Sequence, residues 1–174
     1  MKGERIYLRN LTLDDAEALF AIASHPDVGI HAGWKPHASI EESKEVLEKI
    51  LINENNFGIF LQDDDTLIGC LGIQPDPLRT APMKNLGYWI GKDYWGNGYV
   101  PEAARLVLDR LFLEDKEPYV SINHFVENTR SRRVIEKLGF KKEGTLVHAY
   151  KDANGTVHDL VMYVLSLKDY EEDR

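Results

Sequence analysis

The chain has 174 residues and a formal net charge of −8. That length favours one domain, 1–174, with a sizeable core. The acidic balance argues against nucleic-acid binding, which needs a basic surface, and fits both an amine-bearing partner and simple solubility.

A single cysteine, Cys70, excludes an intramolecular disulfide. Its flanks, Gly69 and Leu71, read as a buried structural thiol with nothing nearby to activate it. No leading apolar segment resembles a signal peptide and no run reaches membrane-spanning length, so the expected location is the cytoplasm with no membrane partner. The histidines lie far apart without ligand spacing, and no metal site is expected.

Arg5 to Arg9 alternates and predicts a first strand. Thr12 with Asp15 predicts a capped helix whose apolar face is Leu13, Ala16, Leu19, Phe20 and Ala23, ended by His25-Pro26-Asp27. His31 to Ala38 is irregular. Trp34, with His31 and His37 beside it, either lines a substrate pocket or packs over the core. Ser39 and Glu42 form a capping-box pattern before a helix with the stripe Val46, Leu47, Ile50, Leu51. Phe57 to Gln62 and Thr66 to Ile73 predict a hairpin around Asp63-Asp64-Asp65, which reads as a solvated turn because a calcium loop spaces its ligands. Pro75 to Pro82 is a proline-punctuated loop.

Leu86 to Ala104 predicts a strand, a glycine-rich turn and a helix. Leu86, Tyr88 and Ile90 share one strand face; Gly87, Trp89 and Gly91 share the other. Gly96 and Gly98 let a ligand approach the main chain, and Pro101 suits a first helical turn. Ala104, Val107, Leu108, Leu111 and Phe112 repeat at helical spacing. Such a turn feeding a helix N-terminus is an anion site.

Pro118 to Phe125 predicts a strand parallel to the preceding one across the helix. Asn128 caps a further helix that stops at Gly139. Ser131 stands three, four and seven residues before Val134, Ile135 and Leu138, so it lies on the inward face. It either bonds within the first turn or faces a ligand. Arg130, Arg132 and Arg133 either hold phosphate or form a solvated face. Gly144 to Lys151 and Val157 to Leu167 predict a hairpin around Asn154-Gly155, followed by a frayed charged tail from Lys168.

Two motifs carry a family resemblance. Tyr94-Trp95-Gly96-Asn97-Gly98-Tyr99-Val100-Pro101-Glu102-Ala103 resembles the phosphate loop of the GCN5-related N-acetyltransferases (GNAT), in the branch of the ribosomal-protein N-terminal acetyltransferases. Asn128-Thr129-Arg130-Ser131, then Glu136-Lys137-Leu138-Gly139-Phe140 and Glu143-Gly144, resembles that branch's second signature. The resemblance spans essentially the whole chain. It implies an α/β (α+β) GNAT fold: a mixed, mostly antiparallel sheet of six to seven strands with a central, splayed parallel pair, and about four helices.

The resemblance also implies acetyl-CoA in the wedge between the parallel strands. Trp89, Ile90 and Gly91 would face its pantetheine arm. Gly96, Asn97, Gly98, Tyr99 and Val100 would cradle its pyrophosphate. Asn128 and Ser131 would sit at the sulfur end, with Arg133 a further cofactor contact. Trp34, His31 and Tyr88 are the candidate acceptor-binding residues. Wider relatives often carry Arg or Gln where this chain has Asp93, a tyrosine where it has Ile135, and a glutamate base where it has Asn123.

The implied reaction is acetyl transfer to an amine, with main-chain N–H groups steadying the oxyanion and Ser131 returning a proton to the departing thiolate. The base stays open between Glu102, which also reads as an acid in the first turn of a helix, and a water bridged by Asn123 or a main-chain carbonyl. The acceptor implied is a protein N-terminal α-amine, with a polyamine or aminoglycoside as the alternative. A CoA-binding sensor without turnover is the alternative of another class. The expected assembly is a monomer or homodimer.

Overall fold

A computed structural model describes residues 1–172. The chain forms two compact units. One comprises Met1–Gly72 with Tyr88–Ala103; the other comprises Ile73–Gly87 with the chain from Ala104 onward.

The first unit begins with β1 (Ile6–Arg9), then α1 (Ala16–Ala23), α2 (Pro26–Ile30), α3 (Ile40–Val46) and β2 (Asn56–Leu61). β3 (Leu67–Pro75), β4 (Lys84–Ile90) and α4 (Tyr99–Asp109) each contribute part of their length to both units. β1 and β2 pair antiparallel from Ile6↔Leu61 to Arg9↔Gly58, and β2 continues onto β3. Leu11, Leu19, Leu47, Phe60 and Leu67 form this unit's core, with Trp34 and Trp89 packed against it.

The second unit holds β5 (Tyr119–Phe125), α5 (Thr129–Lys137), β6 (Lys141–Lys151), β7 (Val157–Ser166) and α6 (Leu167–Glu172). β7 pairs antiparallel with β5 and β6. The sheet runs β1-β2-β3-β4-β5-β7-β6, with β4 and β5 parallel. The seven strands, the parallel pair and the late hairpin agree with the expected fold. The stripe Ala104, Val107, Leu108, Leu111, Phe112 is fully buried, as helical spacing requires.

Four local expectations need correction. Among the described residues there are six helices rather than about four, the short α2 and α6 being the additions. Pro26 does not simply end α1; it opens α2 from the first helical position, where the N–H it lacks is not needed, and His25 Nδ1 accepts from Asp27 N at 3.1 Å. The stripe after Val46 keeps Leu47 buried and Leu51 packed on the core, but Ile50 is exposed within the π turn Leu47–Leu51; one turn earlier Ser43 is fully buried and bonds His37 Nδ1 at 2.8 Å. The tail is helical to Glu172. Ser166 caps it, Tyr170 is buried with its hydroxyl donating to Asp109 at 2.9 Å, and only 173–174 lie outside the described residues.

Candidate active site

The glycine-rich segment lies wholly in the first unit. Gly91 N–H donates to Ile68 O at 2.8 Å and so extends β4's attachment to β3 by one residue. Gly69 makes that approach possible: a Cβ there would stand 2.4 Å from Trp89 O and 2.9 Å from Ile90 Cα. After a 3-10 turn, Lys92–Tyr94, the Trp95 indole folds back and donates to Ile90 O at 3.0 Å. Gly91 N–H and Ile90 C=O are therefore already engaged within the protein, so of the pantetheine-facing set these two groups serve the strand end itself. Gly96 and Gly98 have φ of +78° and +81°, and nothing lies within 4 Å of a Cβ built on Gly96. Val100 and Ala103 bury the inner side of the helix that follows.

Glu102 is tied to β1. Its carboxylate accepts from Arg5 N–H at 2.8 Å, Arg5 Nε at 2.9 Å and Ile6 N–H at 3.3 Å. Burial alone would raise its pKa, but those donors hold it below the usual carboxylate range. This corrects its candidacy as general base. A carboxylate this well satisfied is a poor proton acceptor; it joins the first turn of α4 to the first strand.

The acceptor candidates His31 and Trp34 also lie in this unit. The Trp34 ring meets Trp89 edge-on at 5.7 Å and His37 at 5.4 Å, while His31 meets Trp95 at 6.1 Å. Trp34 thus packs over the core, and these side chains brace the end of β4. Tyr88 is half-buried on β4. Cys70 is buried and its thiol is pushed up to about 12, first by burial and then by Asp15, so it is inert.

In the second unit the parallel register of β4 and β5 covers Lys84↔Val120 and Asn85↔Ser121. At that point stands a buried polar cluster that the sequence did not announce. Ser121 Oγ donates to Asp76 Oδ2 at 2.6 Å and accepts from Asn85 Nδ2 at 3.1 Å. Asp76 also accepts from Leu78 N–H and Arg79 Nε, and Arg79 reaches on to Glu143. The cluster anchors the proline-punctuated loop beside these paired residues. Beyond it, Gly87 has nothing within 4 Å of a Cβ position, and Asn123 is half-buried on β5 opposite Met162 of β7. His124 turns to the other face. Its Nδ1 donates to Phe125 O at 2.7 Å, which fixes the tautomer and leaves Nε2 to accept from Tyr163 OH.

Asn128 caps α5 as expected: its Oδ1 accepts from Ser131 N–H at 3.1 Å. Ser131 is half-buried there, while Arg130, Arg132 and Arg133 are exposed. Arg132 bonds Glu136 one turn on, the behaviour of a solvated face. Next to this cap, His158 bridges Glu127 at 2.5 Å and Asp152 at 3.0 Å and stacks on Phe125 at 4.2 Å. Its pKa is raised, first by Asp152 and, despite opposing burial, further by Glu127. The spacing of Asp152 and His158 about a hairpin turn was the only sequence signal for this bridge. In sum, the glycine loop, Glu102, His31 and Trp34 share one unit, and Asn123, Asn128, Ser131 and Arg133 share the other.

The acetyltransferase (GNAT) domain model matches residues 5–141, and the chain belongs to this family of N-acetyltransferases. Among curated relatives, the uncharacterized N-acetyltransferase p20 of Bacillus licheniformis is 28% identical over 96% of each chain. "Probable N-acetyltransferase YjcK" of Bacillus subtilis is 34% identical over 83% of this chain and 84% of that protein. The [ribosomal protein uS5]-alanine N-acetyltransferase of Escherichia coli is 27% identical over 68% of this chain and 60% of its own length. A GNAT acetyltransferase structure from Bacillus anthracis superposes with a TM-score of 0.86 at 25% identity, over 97% of this chain and 98% of that one. A Vibrio cholerae spermidine N-acetyltransferase, solved with CoA and spermine, gives a TM-score of 0.77 at 19% identity over 96% and 98% of the two chains, a likeness of fold. Among the described residues, no helix is long and apolar enough to cross a membrane.

Proposed function

We propose that this chain transfers the acetyl group of acetyl-CoA to the α-amine of a protein N-terminus. The observation that carries the donor half is the glycine loop: two residues at positive φ, with open space at Gly96, immediately before α4. A backbone of this shape lets main-chain N–H groups meet a pyrophosphate closely, and the helix dipole favours its charge. The parallel register of β4 and β5 supports the central strand pair that the acetyl-CoA reading requires.

Acetyl-CoA supplies the thioester that the amine attacks. The chain's own residues hold the two substrates together, and this proximity is the largest contribution expected of them. Gly96 to Val100 hold the donor's phosphates, and Trp89 directs its arm from the strand end that Gly91 N–H and Ile90 C=O brace. Asn128 fixes the first turn of α5, which sets Ser131 in place. Ser131 relays a proton to the departing thiolate, regaining one from water as it gives its own. Asn123 orders a water that accepts the amine's proton, now that Glu102 is engaged with Arg5. Arg133 lies beside these residues in sequence as an outer cofactor contact. Tyr88 borders the acceptor, while Trp34 and His31 brace the strand end beside it.

The preference for a protein N-terminus rests on the Asn128/Ser131 signature and on the uS5-alanine acetyltransferase among the relatives. Thiol release is measured across peptides with varied N-termini, polyamines and aminoglycosides. Release that depends on a free peptide N-terminus is expected. Release with small amines alone would overturn the acceptor class.

A further inference from the structure

Arg5 lies far outside the glycine motif in sequence, yet its guanidinium reaches the loop. Nη1 donates to the Asn97 carbonyl at 2.9 Å. Nε donates to Glu102 Oε2 at 2.9 Å, and Nη2 stands at the same distance from that oxygen. The group lies over the Tyr99 ring, 4.8 Å from its centroid, and Nη2 is 3.5 Å from where a Cβ on Gly98 would stand. One planar cation thus touches the last residues of the loop and the first turn of α4, all within one compact unit.

The consequence follows from peptide geometry. Asn97 C=O and Gly98 N–H belong to one planar trans peptide, so they point in opposite directions. Holding the carbonyl toward Arg5 turns the Gly98 N–H away from it. Gly98, at φ +81°, has no side chain to limit how that peptide rotates, so the orientation has to be imposed from outside. Glu102 fixes the guanidinium for this task and compensates its charge.

We infer that Arg5 is the positioning residue of the pyrophosphate cradle: it orients the Asn97–Gly98 peptide so that its N–H faces the donor's phosphate. This inference rests on the acetyl-CoA reading above. It assigns to the residue just before β1 an aid to the loop that Asp93 does not provide. Only the forked guanidinium can hold Asn97 and Glu102 together; a lysine ammonium keeps the charge but reaches one of them at a time.

The test uses Arg5→Lys and Arg5→Met in the full-length protein, with equilibrium binding of acetyl-CoA and of S-acetylpantetheine, which has the thioester arm but no pyrophosphate. Both variants are expected to bind acetyl-CoA about tenfold more weakly, the scale of one charge-assisted hydrogen bond, with S-acetylpantetheine binding unchanged. KM for acetyl-CoA should rise while kcat at saturation stays near that of the wild type. If Arg5→Met does not fold, Arg5→Lys carries the test, because it keeps the charge beside Glu102. Equal weakening of both donors, or a lower Tm with no change in their ratio, would overturn the role. A wild-type protein that does not favour acetyl-CoA over S-acetylpantetheine would overturn the pyrophosphate reading itself, and the Arg5 role with it.

Discussion

The polar cluster beside the paired residues of β4 and β5 makes a sharp stability prediction. Asp76 has a side chain with no exposed surface, and it accepts from Ser121 Oγ at 2.6 Å, Leu78 N–H at 2.9 Å and Arg79 Nε at 3.1 Å. Asp76→Ala removes the acceptor from all of these donors. Ser121 can redirect its hydroxyl to Lys84 O at 3.3 Å, and Arg79 keeps Glu143, so the loss is partly relieved. The expected cost is therefore near the low end for breaking a buried ion pair, about 3 kcal/mol. For a chain of this size that lowers Tm by about 6 to 12 °C. Asp76→Asn keeps one carbonyl oxygen and should lose about half as much. Thermal and urea unfolding of both variants, with Ser121→Ala and the double variant, would give the cycle. Asp76 and Ser121 share a bond, so their effects should be non-additive. An Asp76→Ala protein within about 0.5 kcal/mol of the wild type would refute the reasoning, because that is the range of ordinary surface changes.

Other outcomes follow from the same structure. Gly98→Val forces a β-branched residue to φ +81° and should weaken acetyl-CoA binding at least tenfold; titration of acetyl-CoA checks it, and unchanged affinity would remove the loop from the donor site. Gly69→Ala places a Cβ 2.4 Å from Trp89 O, so β4 must shift and both Tm and donor affinity should fall. Ser131→Ala should lower kcat by no more than about a hundredfold, since a thiolate can leave without a strong acid; a pH–rate profile unchanged from neutral to alkaline pH would end the proton-donor assignment. The His158 bridge gives a pH window. His158 is raised, so its contribution is complete below the unfolded histidine pKa and fades as pH rises through the folded one. Asp152 is lowered, first by the His158 bond, so its contribution is present above the unfolded carboxylate pKa and fades as pH falls through the folded one. His158→Gln should flatten the stability-versus-pH curve at neutral to alkaline pH, which thermal unfolding across pH would reveal.

The parts of this molecule written in local pattern were legible from the sequence. The Thr12 and Asn128 caps, the Asp-rich and Asn-Gly turns, and the α4 stripe each depend on residues a few positions apart. The π turn at Leu47–Leu51 escaped the same logic in part: Ile50 stands in solvent, while Leu51 still packs on the core. α6 was hidden because a single buried tyrosine, Tyr170, anchors an otherwise charged segment. Within the candidate site, the glycine loop and the Asn128/Ser131 helix were visible as motifs. Their supports were not. Glu102 read as a free acid because its partner Arg5 lies 97 residues away. Asp76, Asn85 and Ser121 come from a loop and two strands, and each is unremarkable alone. Trp34 remained two-valued until the Trp89 ring was seen against it.

The most direct test is transfer of a labelled acetyl group from acetyl-CoA to a lysine-containing peptide in two forms, one with a free N-terminus and one with it blocked. Label is expected on the α-amine of the free peptide and none on the blocked one. Binding of acetyl-CoA with no label passed to any amine would contradict the proposed transfer.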